Sequence, residues 1–231
     1  MARPFLLASL LILAAPAPAA ERRVGVGGFD RVRVSGPFEV THRVGSPGAT
    51  VSGDRETIER IELRVDGSTL TIRMGTGGWG ERPAAARTAP VAVMISSPSL
   101  SGASVIAGGR LTVQRAKAAR VELTVSGSGS IAAADVVADE VAASLNGAGE
   151  MTLGGKAGRA RLINSGPGRL DAEKLVANDL FVAADGTGET RAAARFGAQV
   201  VNGGLGEVTV AGRPKCRVTT KGGGLVRCGS D

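Results

Sequence analysis

The 231-residue chain is poor in the residue types on which many enzymes and nucleic-acid-binding surfaces depend. It has no Tyr, one Trp and one His, and aromatic residues make up only 3% of it. A single His cannot build a His-based zinc site, and a Ser-His-Asp arrangement would need partners that the sequence does not identify. Surfaces that bind single-stranded nucleic acid combine basic residues with stacking aromatic rings, which are scarce here. We therefore expect no catalytic site, no metal or other cofactor, and no nucleic-acid partner.

Long hydrophobic runs are also missing. The apolar run at residues 5–13 follows Arg3 and precedes a small-x-small cleavage motif at residues 17–19. This arrangement predicts a signal peptide over residues 1–20. The run is too short to span a bilayer, and no second apolar run of about 20 residues follows. We expect an exported protein of the periplasm or the extracellular surface of a bacterium that does not span the membrane.

Glycine, by contrast, is abundant at 35 residues, and it recurs in a Gly-x-Gly motif. The first glycines of six motifs are 20, 19, 20, 18 and 18 residues apart. A steady period near 20 with one bend per unit is typical of a stacked solenoid. The six motifs are Gly127-Ser128-Gly129, Gly147-Ala148-Gly149, Gly166-Pro167-Gly168, Gly186-Thr187-Gly188, Gly204-Leu205-Gly206 and Gly222-Gly223-Gly224.

Apolar residues on both sides of each motif alternate with period 2, which indicates strands with one face inward. A repeat of about 20 residues holds two or three short strands and leaves no room for an ordinary helix. We predict an all-β fold with a right-handed single-stranded parallel β-helix (solenoid) over residues 96–231. Its narrow core of small aliphatic residues accounts for the shortage of large rings. Two inward positions are occupied by Val121, Val141, Ala160, Leu180, Ala198 and Cys216, and by Leu123, Ala143, Leu162, Val182, Val200 and Val218.

Residues 21–95 lack this repeat and are predicted to form an antiparallel β segment that continues into the solenoid and covers its N-terminal end. Asp66-Gly67 lies between two alternating runs, which is a strong hairpin signal. A cover is needed because an open coil end exposes apolar core and unpaired backbone. We place the first solenoid bend at residues 101–105, which implies an insertion near residues 108–119.

Two stretches resemble a known family. Residues 29–40 (FDRVRVSGPFEV) and residues 65–72 (VDGSTLTI) are similar to the opening of the putative auto-transporter adhesin, head GIN domain family. The repeated Gly-x-Gly bends are similar to its later part, and the resemblance covers roughly residues 27–228. It implies a right-handed single-stranded β-helix in the bacterial envelope and an adhesin-like role. It supplies no catalytic residues to carry over.

The carboxylates bear on an enzymatic alternative, because β-helix folds also host polysaccharide lyases and hydrolases. These enzymes need clustered carboxylates to bind Ca²⁺ or for acid/base chemistry. Glu150, Glu189 and Glu207 share the position directly after the bend, and Arg169 lies between the first two in the stack. We interpret them as an outward charged ladder with Arg169 as its neutralising member.

Three other polar residues are assigned structural roles. His42 alternates with apolar neighbours, which favours a packed strand residue. Asn164 and Asn202 precede the bend glycine by two residues, where an inward amide can satisfy backbone groups of the next coil.

Trp79, the lone Trp, lies in a stretch rich in Gly and Pro at residues 75–90. An exposed Trp on such a loop suits sugar stacking or partner contact. An equally weighted alternative is that it covers an apolar edge.

Cys216 and Cys228 are the only cysteines, and both fall on inward phases of the last coil. Export places them in an oxidising compartment. We therefore predict a structural disulfide between them that secures the end of the solenoid.

The formal net charge of +7 allows contact with anionic envelope material such as acidic glycan. Because the Arg residues are scattered along the sequence, we favour a dispersed, solvated charge. We predict a non-enzymatic, adhesin-like or scaffold protein with an unknown envelope or extracellular partner, such as a glycan or another anionic surface. The alternatives are a carbohydrate-active β-helix enzyme and a structural or stress-related envelope protein without a ligand.

Overall fold

A computed structural model describes residues 20–75 and 91–230. About 70% of the structure is strand and 3% is helix, and it forms a solenoid of about 6 turns. Within the described residues, seventeen strands hydrogen-bond into one continuous sheet, and the one helix, α1, spans Arg55–Glu59. The strands are β1 (Ala20–Val24), β2 (Arg31–Ser35), β3 (Glu39–Val44), β4 (Gly48–Gly53), β5 (Ile61–Asp66), β6 (Thr69–Met74), β7 (Ala92–Ser97), β8 (Gly102–Ile106), β9 (Arg110–Val113), β10 (Ala116–Ser126), β11 (Ser130–Asn146), β12 (Glu150–Ser165), β13 (Arg169–Asp185), β14 (Thr190–Asn202), β15 (Val208–Ala211), β16 (Lys215–Thr220) and β17 (Val226–Ser230).

Strands β10 to β14 stack in parallel, as the repeat predicts, and their inward residues build the core. In the pairing register, Val121 lies beside Val141, which lies beside Ala160. Leu162 is 1% exposed, so the predicted inward phase is confirmed. Parallel stacking places like positions of successive coils in columns, so each buried position becomes a continuous row of small aliphatic side chains.

The bend glycines are required by the close approach of successive coils. Gly147 has a φ of 115°, a backbone conformation that residues with a side chain rarely adopt. A Cβ atom added to Gly149 would lie 2.4 Å from the carbonyl oxygen of Gly129 in the preceding coil. Backbone fills this corner of the stack, which explains why glycine recurs there with the period of the coil.

The first bend of the repeat lies later than the sequence interpretation placed it. Residues 102–105 lie within β8, and residue 101 directly precedes it. The bend follows at Ala107, Gly108 and Gly109. Gly109 precedes Gly129 by twenty residues, and a Cβ atom on Gly129 would lie 2.7 Å from the carbonyl oxygen of Gly109. The predicted insertion near residues 108–119 is therefore wrong, because the spacing from this bend to the next already matches the period.

The N-terminal part contains the predicted antiparallel cover. Strands β5 and β6 form the hairpin expected from Asp66-Gly67, with Asp66 opposite Thr69. Strand β4 pairs antiparallel with both β1 and β7, and α1 packs against β1 and β4. Asp54 caps α1, since its carboxylate accepts a hydrogen bond from the backbone N–H of Thr57 at 3.0 Å.

Strands β2 and β3 depart from the antiparallel pattern expected for this region. They pair in parallel, β2 between β6 and β8 and β3 between β7 and β9. The bend between them contains Gly36, whose φ is 130° and whose carbonyl oxygen lies in the same glycine column as Gly109. Gly36-Pro37 thus serves as a bend of the solenoid, and the two strands form a coil that is inserted out of sequence order.

The last described coil consists of β16 and β17 and is joined by the predicted disulfide. The Sγ atoms of Cys216 and Cys228 are 2.05 Å apart and their Cα atoms 6.2 Å apart. In the register, Cys216 lies beside Ala198 and Cys228 beside Val210. Val218 is 44% exposed although its phase is inward, because no described coil follows to cover it.

Candidate functional site

Two of the three carboxylates that share the position after the bend, Glu189 and Glu207, form ion pairs along the outer surface. Arg169 lies beside Glu150 in the register, and its Nε is 3.8 Å from a carboxylate oxygen of Glu189. Arg191 donates a 2.5 Å hydrogen bond to Glu189, which raises the pKa of Arg191. Arg227 pairs with Glu207 at 2.7 Å. These contacts match the charged ladder expected from the sequence, and each described carboxylate of the ladder has a cationic neighbour.

Asn164 and Asn202 are buried at the bend and bind backbone, as expected. The Nδ2 of Asn164 lies 3.1 Å from the carbonyl oxygen of Gly168, and that of Asn202 lies 2.9 Å from the carbonyl oxygen of Gly206. In both cases the amide spans its own bend from inside the core. These side chains therefore hold the corner and do not form a binding site.

Over the described ranges 20–75 and 91–230, no group of three or more His, Cys, Asp or Glu side chains is arranged to hold a metal ion. No helix in these ranges has the length and hydrophobicity needed to cross a membrane. Trp79, the expected partner contact, lies outside the described residues.

The most distinctive surface feature is a groove along the corner where β10 to β14 change from one face of the solenoid to the next. Two depressions, of about 740 Å³ and 560 Å³, share Lys117, Val137 and Lys156 and so form one continuous groove. We call it the basic groove. Its cationic residues are Arg115, Lys117, Lys156, Lys174 and Arg195, and all five are exposed.

The depth of the groove comes from small side chains. Ala118, Ala138 and Ala157 follow one another in the pairing register and, with Gly158, line the floor. The register of the strands shifts at this corner, for example between Ala133 and Val136 of β11. A column of small residues beside a column of longer ones leaves a channel that runs parallel to the solenoid axis.

The charge in the groove is mostly uncompensated. Arg115 pairs with Asp135 at 2.6 Å, and Asp139 is the other carboxylate that lines the groove. Within the described part of the chain, no ion pair or hydrogen bond involves the side chains of the remaining four cations, Lys117, Lys156, Lys174 and Arg195. Several cations gathered over a concave surface create a positive potential that attracts anions.

The sequence interpretation missed this site. It treated the positive charge as dispersed because the basic residues are far apart along the chain. Lys117 and Lys156, however, occupy the same phase of coils two turns apart, and stacking brings them to one groove. Aligning the cations, and not only the apolar residues, on the 20-residue period would have indicated it.

Comparison with known proteins places the chain in context. The family model described as "Putative auto-transporter adhesin, head GIN domain" matches residues 28–214. Among curated proteins, no sequence matches. Several solved structures share the fold at low sequence identity, among them two putative adhesins and a putative lipid binding protein.

The structure of a putative adhesin from Bacteroides fragilis NCTC 9343 superposes with a TM-score of 0.82 at 19% identity, covering 91% of this chain and 96% of that one. A putative adhesin from Parabacteroides distasonis ATCC 8503 gives a TM-score of 0.71 at 18% identity, with coverage of 92% and 98%. A putative lipid binding protein from the same Parabacteroides strain gives 0.67 at 19% identity, with coverage of 92% and 97%. At these identities the likeness concerns the fold.

Proposed function

Because this chain belongs to the putative auto-transporter adhesin, head GIN domain family, we propose that it is an exported, non-enzymatic binding protein of the bacterial envelope. Its basic groove holds an anionic partner, and its stacked coils are the rigid support. The signal-peptide pattern at residues 1–20 supports export to the periplasm or the cell surface.

The observation that carries this proposal is the convergence on one groove of four cations that are unpaired within the described residues, Lys117, Lys156, Lys174 and Arg195. Some cations elsewhere are paired with carboxylates, as in Arg110 with Glu39 at 3.3 Å and Arg120 with Glu140 at 3.3 Å, and others that are unpaired in the described ranges, such as Arg64 and Lys221, do not line the groove. Unmatched positive charges that converge on a groove repel one another, and an anionic ligand relieves this repulsion. The groove therefore favours an anionic ligand.

A carbohydrate-active enzyme is not favoured. Of the two carboxylates that line the groove, Asp135 is ion-paired with Arg115 at 2.6 Å. Glycoside hydrolysis needs a pair of carboxyl groups about 5–9.5 Å apart with separate acid and base or nucleophile roles. The groove offers five cations for binding, and its two carboxylates line different depressions, Asp139 the larger one and Asp135 the smaller one.

The test is equilibrium binding of the mature protein to two anionic probes, hyaluronan and phosphatidylglycerol vesicles, with neutral dextran and phosphatidylcholine vesicles as controls. We expect binding to at least one anionic probe, loss of that binding in Lys117→Gln/Lys156→Gln, and no release of reducing ends. The matched control, Arg64→Gln/Lys221→Gln, removes the same charge from exposed sites outside the groove. Equal loss in both double variants, or no binding to either anionic probe, would refute the proposal.

Trp79 is proposed as an additional partner contact, on the sequence argument alone. Replacing Trp79 with Ala should weaken binding of the same probe without changing the free energy of unfolding. A loss of stability with unchanged binding would instead favour the alternative that this ring covers an apolar edge.

A further inference from the structure

We infer that the basic groove recognises an extended acidic polysaccharide with one carboxylate on every second sugar, lying parallel to the solenoid axis. This inference rests on the proposed anion-binding function and specifies the class of ligand. It comes from the order of residues along the groove, which is not a uniform row of charges.

Four successive coils contribute one residue each to a column that lines the groove. In the pairing register, Lys117 lies beside Val137, Val137 beside Lys156, and Lys156 beside Val176. All four residues line the larger depression. A cationic and an apolar side chain therefore alternate from coil to coil.

The spacing of this column is set by the backbone. Neighbouring strands in a sheet are about 4.8 Å apart, so Lys117 and Lys156 are about 10 Å apart along the axis. One pyranose unit of an extended polysaccharide advances by nearly the same distance as one coil. A carboxylate on alternate sugars would consequently meet a Lys each time, without bending the chain.

The valines complete the match. Val137 is 40% exposed, so its side chain is accessible to a ligand that lies in the groove. A pyranose ring has C–H faces that pack against aliphatic side chains, and burying them is favourable. An uncharged sugar fits at this position, whereas a second carboxylate there would lose hydration without gaining a cation.

The remaining groove residues fit a linear ligand. Ala138 and Ala157 leave a shallow floor on which a sugar chain can rest. Lys174 and Arg195 lie on either side of the column and raise the local concentration of a polyanion. An anionic membrane presents a broad layer of closely spaced charges, which suits a flat or convex protein surface better than a groove. We therefore argue for the polysaccharide and treat membrane binding as an outcome of the test.

The experiment is calorimetric titration of the mature protein with hyaluronan oligosaccharides of two, four and six sugars. Hyaluronan carries a carboxylate on alternate sugars. The same titration is done with oligogalacturonates of the same lengths, which carry a carboxylate on each sugar, and with phosphatidylglycerol vesicles. Their affinities are compared with those of the hyaluronan oligosaccharides. We expect hyaluronan hexasaccharide to bind about tenfold more tightly than the disaccharide, because the column of four coils engages two carboxylates only in a ligand of three or more sugars. Losing one charge-assisted contact in Lys156→Gln should also cost about tenfold.

Val137→Lys is the specificity test, with Val137→Ala as its control. Adding a cation at this position should shift the preference toward oligogalacturonate, whereas Val137→Ala should weaken both ligands without changing their ratio. The control for Lys156→Gln is Lys221→Gln, which should leave binding unchanged.

The outcomes separate the two proposals. Groove-dependent binding of vesicles or of both polysaccharides alike, with no change of preference in Val137→Lys, would overturn this inference and leave the anion-binding function standing. Absence of binding to all three anionic probes would overturn both. A preference for hyaluronan that Val137→Lys reverses would support the alternating recognition.

Discussion

The Nε2 atom of His42 lies 3.0 Å from the Oγ atom of Ser97, and both side chains are 0% exposed. The hydroxyl of Ser97 donates its one proton to the carbonyl oxygen of Ser99 at 2.9 Å, so it accepts from the imidazole. Neutral His42 thus carries its proton on Nε2. Its Nδ1 is buried and has no hydrogen-bond partner among the described residues.

This arrangement predicts a pH-dependent stability. Burial lowers the pKa of His42 below its ordinary value of 6.5, because a charged imidazole would lose hydration between Ile95 and Val113. The contribution of neutral His42 is present above about pH 6.5 and is lost as the pH falls through the folded-state pKa, since the unfolded chain binds the proton more readily. We expect the His42 ring to titrate below 6.5 by NMR. Titration at or above 6.5 would contradict the buried geometry.

Replacing Leu162 with Asp should destabilise the solenoid by about 3 kcal/mol or more, since it buries an unpaired carboxylate in the narrow core. The measurement is chemical denaturation. Ala132→Asp, on the exposed side of β11, is the control and should change the free energy of unfolding by less than about 0.5 kcal/mol. Similar effects of the two substitutions would contradict the inward phase of Leu162.

Gly149→Ala should cost about 1–3 kcal/mol, because the added methyl group meets the carbonyl oxygen of Gly129 and the coils must separate. Gly25→Ala is a matched control, as nothing lies within 4 Å of the position of its Cβ atom. The measurement is the midpoint of thermal unfolding of both variants. An unchanged midpoint for Gly149→Ala would show that the bends tolerate side chains.

Removing the disulfide by Cys216→Ser/Cys228→Ser should lower stability by about 2–3 kcal/mol, the value expected for a short closed loop. The loss should begin at the last coil, so hydrogen exchange should accelerate in β16 and β17 before it does in β12. A reducing agent should reproduce the effect in the wild type and leave the double variant unchanged. Uniform acceleration across all coils would instead indicate that the bond secures the whole stack.

The predictable features of the fold are those that repeat locally. Alternation alone predicts that Leu162 faces inward, because a side chain that faces a continuous core must recur with the period of the coil. The same reasoning located the bends at Gly127 and beyond, and Asp66-Gly67 identified its hairpin through local turn chemistry.

Only the tertiary structure decided which strands pair and which positive charges lie together. Gly36-Pro37 has the local chemistry of an ordinary turn, and only packing places β2 and β3 as a coil between strands that come later in the chain. Likewise, Lys117 and Lys156 are distant in sequence, and they line one groove because stacked coils put equal phases side by side. Local pattern determines which way a residue faces, whereas long-range pairing determines which residues it meets.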